Sequence, residues 1–256
     1  MANKSIDFNS DVAQGFGVYK NEYEFELLDY MSSVGVACGA HAGDPLTIRE
    51  ALLKCKEKNV AIGANIGFFD IQGGGNRPMN LDANEVEALV VYQLGAISSF
   101  AKTFGLNIEF VRPHGAMYKM AYENYEFAIS IAKAIKKYDR WMTYYGAFGD
   151  SINKVAEETG LVVAREFLLD KSYNQEGKIE WDSTLQLSED ILINRIRTIT
   201  HSSQIKIANG AFLPVECDTV HFACKDKSSV ELASRAVEIL KPSPVNYNKV
   251  EVSGWV

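Results

Sequence analysis

The residues best equipped for chemistry collect in short turn-rich stretches that follow apolar runs. Asp7, Asn9 and Asp11 alternate, so a strand would point them to one side. The run Cys38-Gly39-Ala40-His41-Ala42-Gly43-Asp44 closes a second apolar stretch, Gly63-Ala64-Asn65 closes a third and leads to Asp70 and Arg77, and Arg112-Pro113-His114-Gly115 closes a fourth. Carboxylate with imidazole can act as general acid and base, because imidazole titrates near neutrality. The same groups are ligands for a divalent metal. Asp44 reads equally as the N-cap of a helix opened by Pro45. His41 and His114 are either hydrogen-bonded loop residues or site residues, and their place at strand ends favours the second. His201 follows a polar helical pattern and should face solvent, whereas His221 sits in a β-branched run and reads as a hydrogen-bonded core residue. Cys38 is a minor candidate nucleophile, with a small buried strand-end residue as the plainer reading.

Other chemistries find less support. Gly73-Gly74-Gly75 is not a phosphate-binding P-loop, since no Gly-Lys-Ser/Thr follows. It reads as a loop able to close over a ligand, with Arg77 in reach of an anion. There is no Gly-x-Ser-x-Gly elbow.

These residues need a scaffold that brings strand ends together. Ser5–Phe8, Val34–Cys38, Val60–Ala64, Ile108–Val111, Met142–Tyr145, Leu161–Ala164, Ile205–Ala208 and Val220–Phe222 read as buried strands. Glu22–Ser32, Pro45–Lys58, Asp82–Thr103, Tyr125–Tyr138, Asp150–Thr159, Glu189–Ser202 and Ser228–Leu240 read as helices, with a capping box at Asp82-Ala83-Asn84-Glu85. This alternation demands a mainly parallel sheet under helices. Its size fits a (β/α) barrel in one domain over residues 1–256, with chemistry at the C-terminal strand ends. An open doubly wound sheet is the alternative. Leu169–Gln186 reads as a long loop near the site or a small hairpin.

Composition narrows the partners. The 256 residues carry 26 Lys+Arg against 33 Asp+Glu, a formal charge of −7, which argues against binding a phosphate backbone. No apolar stretch is long enough to span a membrane, and the first residues lack the apolar core of a signal peptide. The four cysteines show no CxxC spacing. A cytoplasmic protein with reduced thiols is expected, without nucleic-acid or membrane partners.

Taken together, Asp7-Phe8-Asn9-Ser10-Asp11 with Gly15-Phe16-Gly17, Ala37-Cys38-Gly39-Ala40-His41-Ala42-Gly43-Asp44-Pro45, Tyr92-Gln93-Leu94-Gly95-Ala96 and Arg112-Pro113-His114-Gly115-Ala116-Met117-Tyr118 resemble the LamB/YcsF family, in order from about residue 5 to residue 240. The resemblance implies a single-domain (β/α)7-type barrel related to sugar deacetylases and glycosidases. It also implies ATP-dependent opening of the cyclic amide 5-oxoproline to glutamate, with two companion 5-oxoprolinase subunits as partners. It assigns catalytic roles to Asp11, His41 and His114. Substrate contacts would fall to Asp7, Asn9, Asp44, Asn65, Arg77 and Lys225, with Asp170 and Lys171 as looser matches. A tightly bound metal is not expected.

The chain departs from the family pattern at four places. Ala13-Gln14 replaces Gly-Glu, Asn65 replaces a histidine, Lys171 replaces an arginine, and Ala223-Cys224-Lys225 replaces His-Gly-Asp. An amide cannot shuttle a proton near neutrality, and lysine lacks the guanidinium fork. Three readings follow: a divergent cyclic-amide hydrolase subunit, an enzyme of the same barrel on another substrate such as an acylated sugar, or a weakened paralogue binding a small anion or a partner subunit. Lys225 would favour an anion by Coulomb attraction.

Overall fold

The computed structural model describes residues 6–185, 188–207 and 209–240. Its first half is a run of β/α units: β1 (Asp7–Val12), a short helix α1 (Glu24–Leu27) continued by a 3-10 turn, β2 (Ser33–Ala37), α2 (Pro45–Lys58), β3 (Ala61–Ile66), α3 (Ala83–Thr103) and β4 (Phe110–Pro113). Then come α4 (Gly115–Glu123), α5 (Tyr125–Tyr138), β5 (Thr143–Ala147), α6 (Asp150–Thr159) and β6 (Val163–Leu168). The remainder holds β7 (Lys171–Tyr173), β8 (Ile179–Thr184), α7 (Glu189–Arg197), β9 (Gln204–Lys206), β10 (Phe212–Pro214), β11 (Thr219–His221) and α8 (Lys227–Ile239).

Seven parallel strands close on themselves in the order β1-β11-β6-β5-β4-β3-β2. Alternate strand residues face opposite sides of the wall. One set, including Val34, Val36, Ile62, Val111, Phe167 and Val220, joins Ile48, Leu52, Leu94, Ile97, Ile131 and Ile135 of the helices in a single core. Removing each such side chain from water contributes roughly 1.5–3 kcal/mol, which is what holds the helices against the wall. The other set faces a narrow lumen, whose base is plugged by Phe110, Tyr145 and Ala164. The Phe110 and Tyr145 rings stack with centroids 4.0 Å apart.

Helix starts follow the local chemistry. Asp44 caps α2 by accepting from the Leu46 and Thr47 amides, and Asp82 with Glu85 completes the capping box of α3. Several elements differ from the sequence pattern: α4 is a helix the pattern did not announce, and the expected helix Glu22–Ser32 shortens to α1 and its 3-10 turn. β1 continues through Asn9, Ser10 and Asp11, and β6 begins at Val163 and runs through the charged pair Arg165 and Glu166. The apolar run at Ile205 is not a barrel strand: β9 pairs only with β10, in a two-stranded antiparallel sheet. The irregular stretch after Leu169 forms the β7–β8 hairpin. Ser5, Gln186 and Ala208, at the edges of expected elements, lie outside the described residues. Among the described residues no helix is long and apolar enough to cross a membrane.

Candidate active site

β1 carries a polar ladder up the lumen. Its three rungs, Asp7, Asn9 and Asp11, span about 13 Å at 3.3 Å per residue. At the base, Asp7 accepts hydrogen bonds from four hydroxyls: Ser32 at 2.5 Å, Ser33 at 2.9 Å, Thr219 at 2.6 Å and Tyr145 at 3.2 Å. No cation is among these donors, so burial outweighs them and lifts the carboxyl to about 6.

The middle rung ties four strands together. Asn9 donates from Nδ2 to Glu166 Oε1 at 2.9 Å and to Thr219 Oγ1 at 2.6 Å, while its Oδ1 lies 2.8 Å from His221 Nδ1. Glu166 has no exposed surface and receives Arg112 Nε at 2.9 and 3.0 Å on its two oxygens. Arg112 then reaches upward, placing Nη1 3.2 Å from both oxygens of Asp11. Its guanidinium also lies 4.8 Å from the centre of the Tyr118 ring. Burial alone would neutralise these groups; the mutual attraction keeps Arg112 protonated, holds Glu166 below the usual carboxylate range and holds Asp11 far below it.

At the mouth Asp11 accepts from His114 Nδ1 at 3.1 Å, and His114 Nε2 faces the Gly74 carbonyl at 3.2 Å. Both partners are acceptors, so the ring satisfies both only when it carries two protons. His41 stacks on it, with ring centroids 4.1 Å apart and planes 5° from parallel. His41 is 1% exposed and neither ring nitrogen has a hydrogen-bond partner. Burial first, then the neighbouring His114, pushes its pKa far down, with Asp11 only partly offsetting this. The stack therefore joins a neutral imidazole to one held by a carboxylate.

The backbone makes room for this stack. A Cβ on Gly75 would stand 2.8 Å from His41 Cβ and 3.1 Å from His114 Cδ2, and Gly75 has a φ of +75°, a region that suits glycine. A Cβ on Gly67 would stand 2.4 Å from His41 Nδ1. Opposite, Asn65 accepts from Gln14 Nε2 at 3.3 Å and donates to the Arg112 carbonyl at 3.4 Å. The two amides that stand where the family pattern has acid and imidazole thus pair with each other. Glu24, buried beneath, accepts the Gln14 amide at 3.0 Å and braces the turn in which Ala13 takes a φ of +59°.

The other expected residues lie at the rim or the base. Asp7 stands at the closed end, away from the mouth. Asp44 is spent on capping: it binds the Leu46, Thr47 and Gly17 amides and the Thr47 hydroxyl, which hold its carboxyl at about 2. Arg77 pairs with Asp70 through Nε at 2.7 Å and through Nη2, leaving Nη1 without a contact among the described residues. Lys225 binds Asp170 at 2.7 Å beside a cleft of about 430 Å³, and Lys171 donates to the Trp181 carbonyl at 2.9 Å. Burial pushes the Cys38 thiol far up and its Sγ faces the Val36 carbonyl, a poor setting for a nucleophile. His201 is exposed and distant from these groups in the chain's π-helical turn at Thr198–Ser202.

Three lumen residues escaped the sequence reading: Arg112, Glu166 and His221. Arg112 was visible in Arg-Pro-His-Gly, and a charged Glu166 in mid-strand was the signal for a polar lumen. His221 is buried and hydrogen-bonded as expected, but within the lumen, two residues from Thr219 on the same strand face.

Among the described residues no three His, Cys, Asp or Glu side chains are arranged to hold a metal ion. The glycine loop likewise does not fit a nucleotide phosphate, because its amides are already used: Gly73 N–H binds Asp70 Oδ1, Gly74 N–H the Ile71 carbonyl, and Gly75 N–H the Asp70 carbonyl.

Comparison with known proteins agrees with this geometry. The model of the LamB/YcsF family matches residues 6–253. The A subunit of a 5-oxoprolinase from Bacillus cereus (strain AH820) is 35% identical over 246 residues, covering 94% of this chain and 97% of the relative. Its namesake from Thermococcus onnurineus (strain NA1) is 32% identical over 244 residues, covering 94% and 96%. The crystal structure of a lactam utilization protein from Thermus thermophilus superimposes with a TM-score of 0.86 at 31% identity, covering 92% of this chain and 95% of that one. With nearly the whole length matched by the family model and by relatives above 30% identity, the chain belongs to the LamB/YcsF family.

Proposed function

We propose that this chain is the A subunit of a 5-oxoprolinase-type assembly that opens 5-oxoproline, or a related small cyclic amide, to the amino acid in the cytoplasm. The observation that carries this reading is the stacked pair at the mouth: a neutral, unpartnered His41 against a His114 tied to Asp11. A lactam presents a carbonyl acceptor, and a neutral imidazole offers its one N–H donor to it. With Asp11 on Nδ1, His114 Nε2 is placed to give a proton to the nitrogen that leaves as the ring opens, once the glycine loop lifts the Gly74 carbonyl away. Arg112 keeps Asp11 ionised throughout. The free Nη1 of Arg77 at the rim suits the ligand's carboxylate. The loop from Asp70 to Arg77 lies over His41, so ligand access to that ring involves lifting it.

ATP belongs with the two companion subunits in this reading, since the glycine loop offers no amides to a phosphate. The reading is tested by glutamate release from 5-oxoproline with purified chain, both companions and ATP. Turnover is expected, with His41→Ala and His114→Ala each slower by about 10²–10⁴-fold. No turnover with every component present overturns it, and unchanged rates in both variants overturn the site.

A further inference from the structure

We propose that His221 is a ligand-contacting residue of this site, and that its unprotonated Nε2 accepts the ring N–H of a cyclic amide. The inference rests on the 5-oxoproline reading above and adds a residue to it. It follows from a chain of hydrogen bonds whose direction can be worked out from the base of the barrel upward.

Thr219 gives its hydroxyl proton to Asp7, so its oxygen can only accept from Asn9. Glu166, ionised beside Arg112, also only accepts. Both acceptors face the same end of the Asn9 amide, and that end must be Nδ2. The carbonyl end therefore faces His221, 2.8 Å from Nδ1, and obliges Nδ1 to carry the ring proton. The lone pair is left on Nε2, which lies across the ring from Asn9 and makes no hydrogen bond among the described residues.

The surroundings keep the ring in this form. His221 is 7% exposed. The charged groups bearing on it are Arg112 from β4, Asp11 from β1, Glu166 from β6 and Asp170 just beyond β6. Burial and Arg112 disfavour a second proton and outweigh the three carboxylates. Asn9 and Asp11 share a face of β1, which places His221 one rung below the mouth where His114 meets Asp11. An acceptor with no protein donor, on a ring one rung below the mouth, is open to a ligand N–H.

Two measurements test this. Long-range 1H–15N spectra of the full chain should show His221 as the Nδ1–H tautomer; the Nε2–H tautomer overturns the proposal with no ligand involved. Calorimetry on the chain assembled with its companions then compares 5-oxoproline with 5-oxotetrahydrofuran-2-carboxylate, in which a ring oxygen replaces the N–H. Wild type should prefer the lactam by about tenfold, the size of one buried hydrogen bond. In His221→Ala that preference should fall to within about twofold, whatever happens to absolute affinity, a change that loss of packing alone would not produce. An undiminished preference in the variant overturns the role of His221 alone. If neither ring binds wild type, the 5-oxoproline reading falls and takes this proposal with it.

Discussion

Asp7 and Asp11 share a strand and a strand face, Asp7 buried at the base and Asp11 half-buried at the mouth, yet their carboxyls are driven in opposite directions. Asp7 meets four neutral hydroxyls and is raised to about 6. Asp11 meets a guanidinium and an imidazole and is held far below the usual range. Hydrogen bonds alone do not compensate for desolvating a carboxylate here; a buried cation does. The base of the lumen is therefore closed around an acid that takes up a proton near pH 6, whereas the mouth stays charged.

The sharpest way to break this contrast is to remove the cation. Arg112→Met should strand Asp11 and Glu166 as uncompensated buried acids and lower stability by about 3–5 kcal/mol in urea unfolding at pH 7. A loss below about 1 kcal/mol would mean that water, not Arg112, supports the mouth.

At the base the contrast predicts a pH signature. Folding raises the Asp7 carboxyl from 3.8 to about 6, so its contribution is fully present below about pH 4 and is lost as pH rises through 6. Urea unfolding of wild type and Asp7→Asn from pH 4 to pH 7 should show their stability difference shift by about 2 kcal/mol against wild type as pH rises. A constant difference across that range would show that the hydroxyl cage holds a carboxylate after all.

A third aspartate calibrates the other two. Asp44 is half-buried and meets the amides at the start of α2. Asp44→Ala should cost about 1 kcal/mol in thermal or urea unfolding, the usual worth of an N-cap. A much larger loss would place Asp44 among the interior acids.

The wall of the barrel was more legible in the sequence than its lumen. Apolar runs such as Val34–Cys38 announce the outward-facing strand residues, and the Asp44-Pro45 and Asp82…Glu85 caps mark helix starts correctly. The same logic stops β1 at Phe8 and the sixth strand at Ala164, because Asn9, Asp11, Arg165 and Glu166 look like turn residues. In the barrel these residues are satisfied by partners far along the chain, 53 residues away at Asp218 for Arg165 and 210 residues away at Thr219 for Asn9. Local periodicity carries no information about such partners. The Ile205 run failed in the opposite sense: its apolar residues serve a peripheral β-pair outside the barrel wall. His41 and His114 were legible by position, but their stacking depends on loops from three different strands. The pairing of Gln14 with Asn65 was likewise invisible, since each substitution alone reads as a loss and only together do they make a bond.

The stacked Phe110 and Tyr145 rings have a kinetic meaning. With 1% and 5% of their surfaces exposed, they close the base of the lumen. Whatever reaches the histidines must leave by the way it came. Arrival and departure are thus a single-lane exchange, in which a lingering product bars the next molecule and anything seated over the opening governs traffic in both directions.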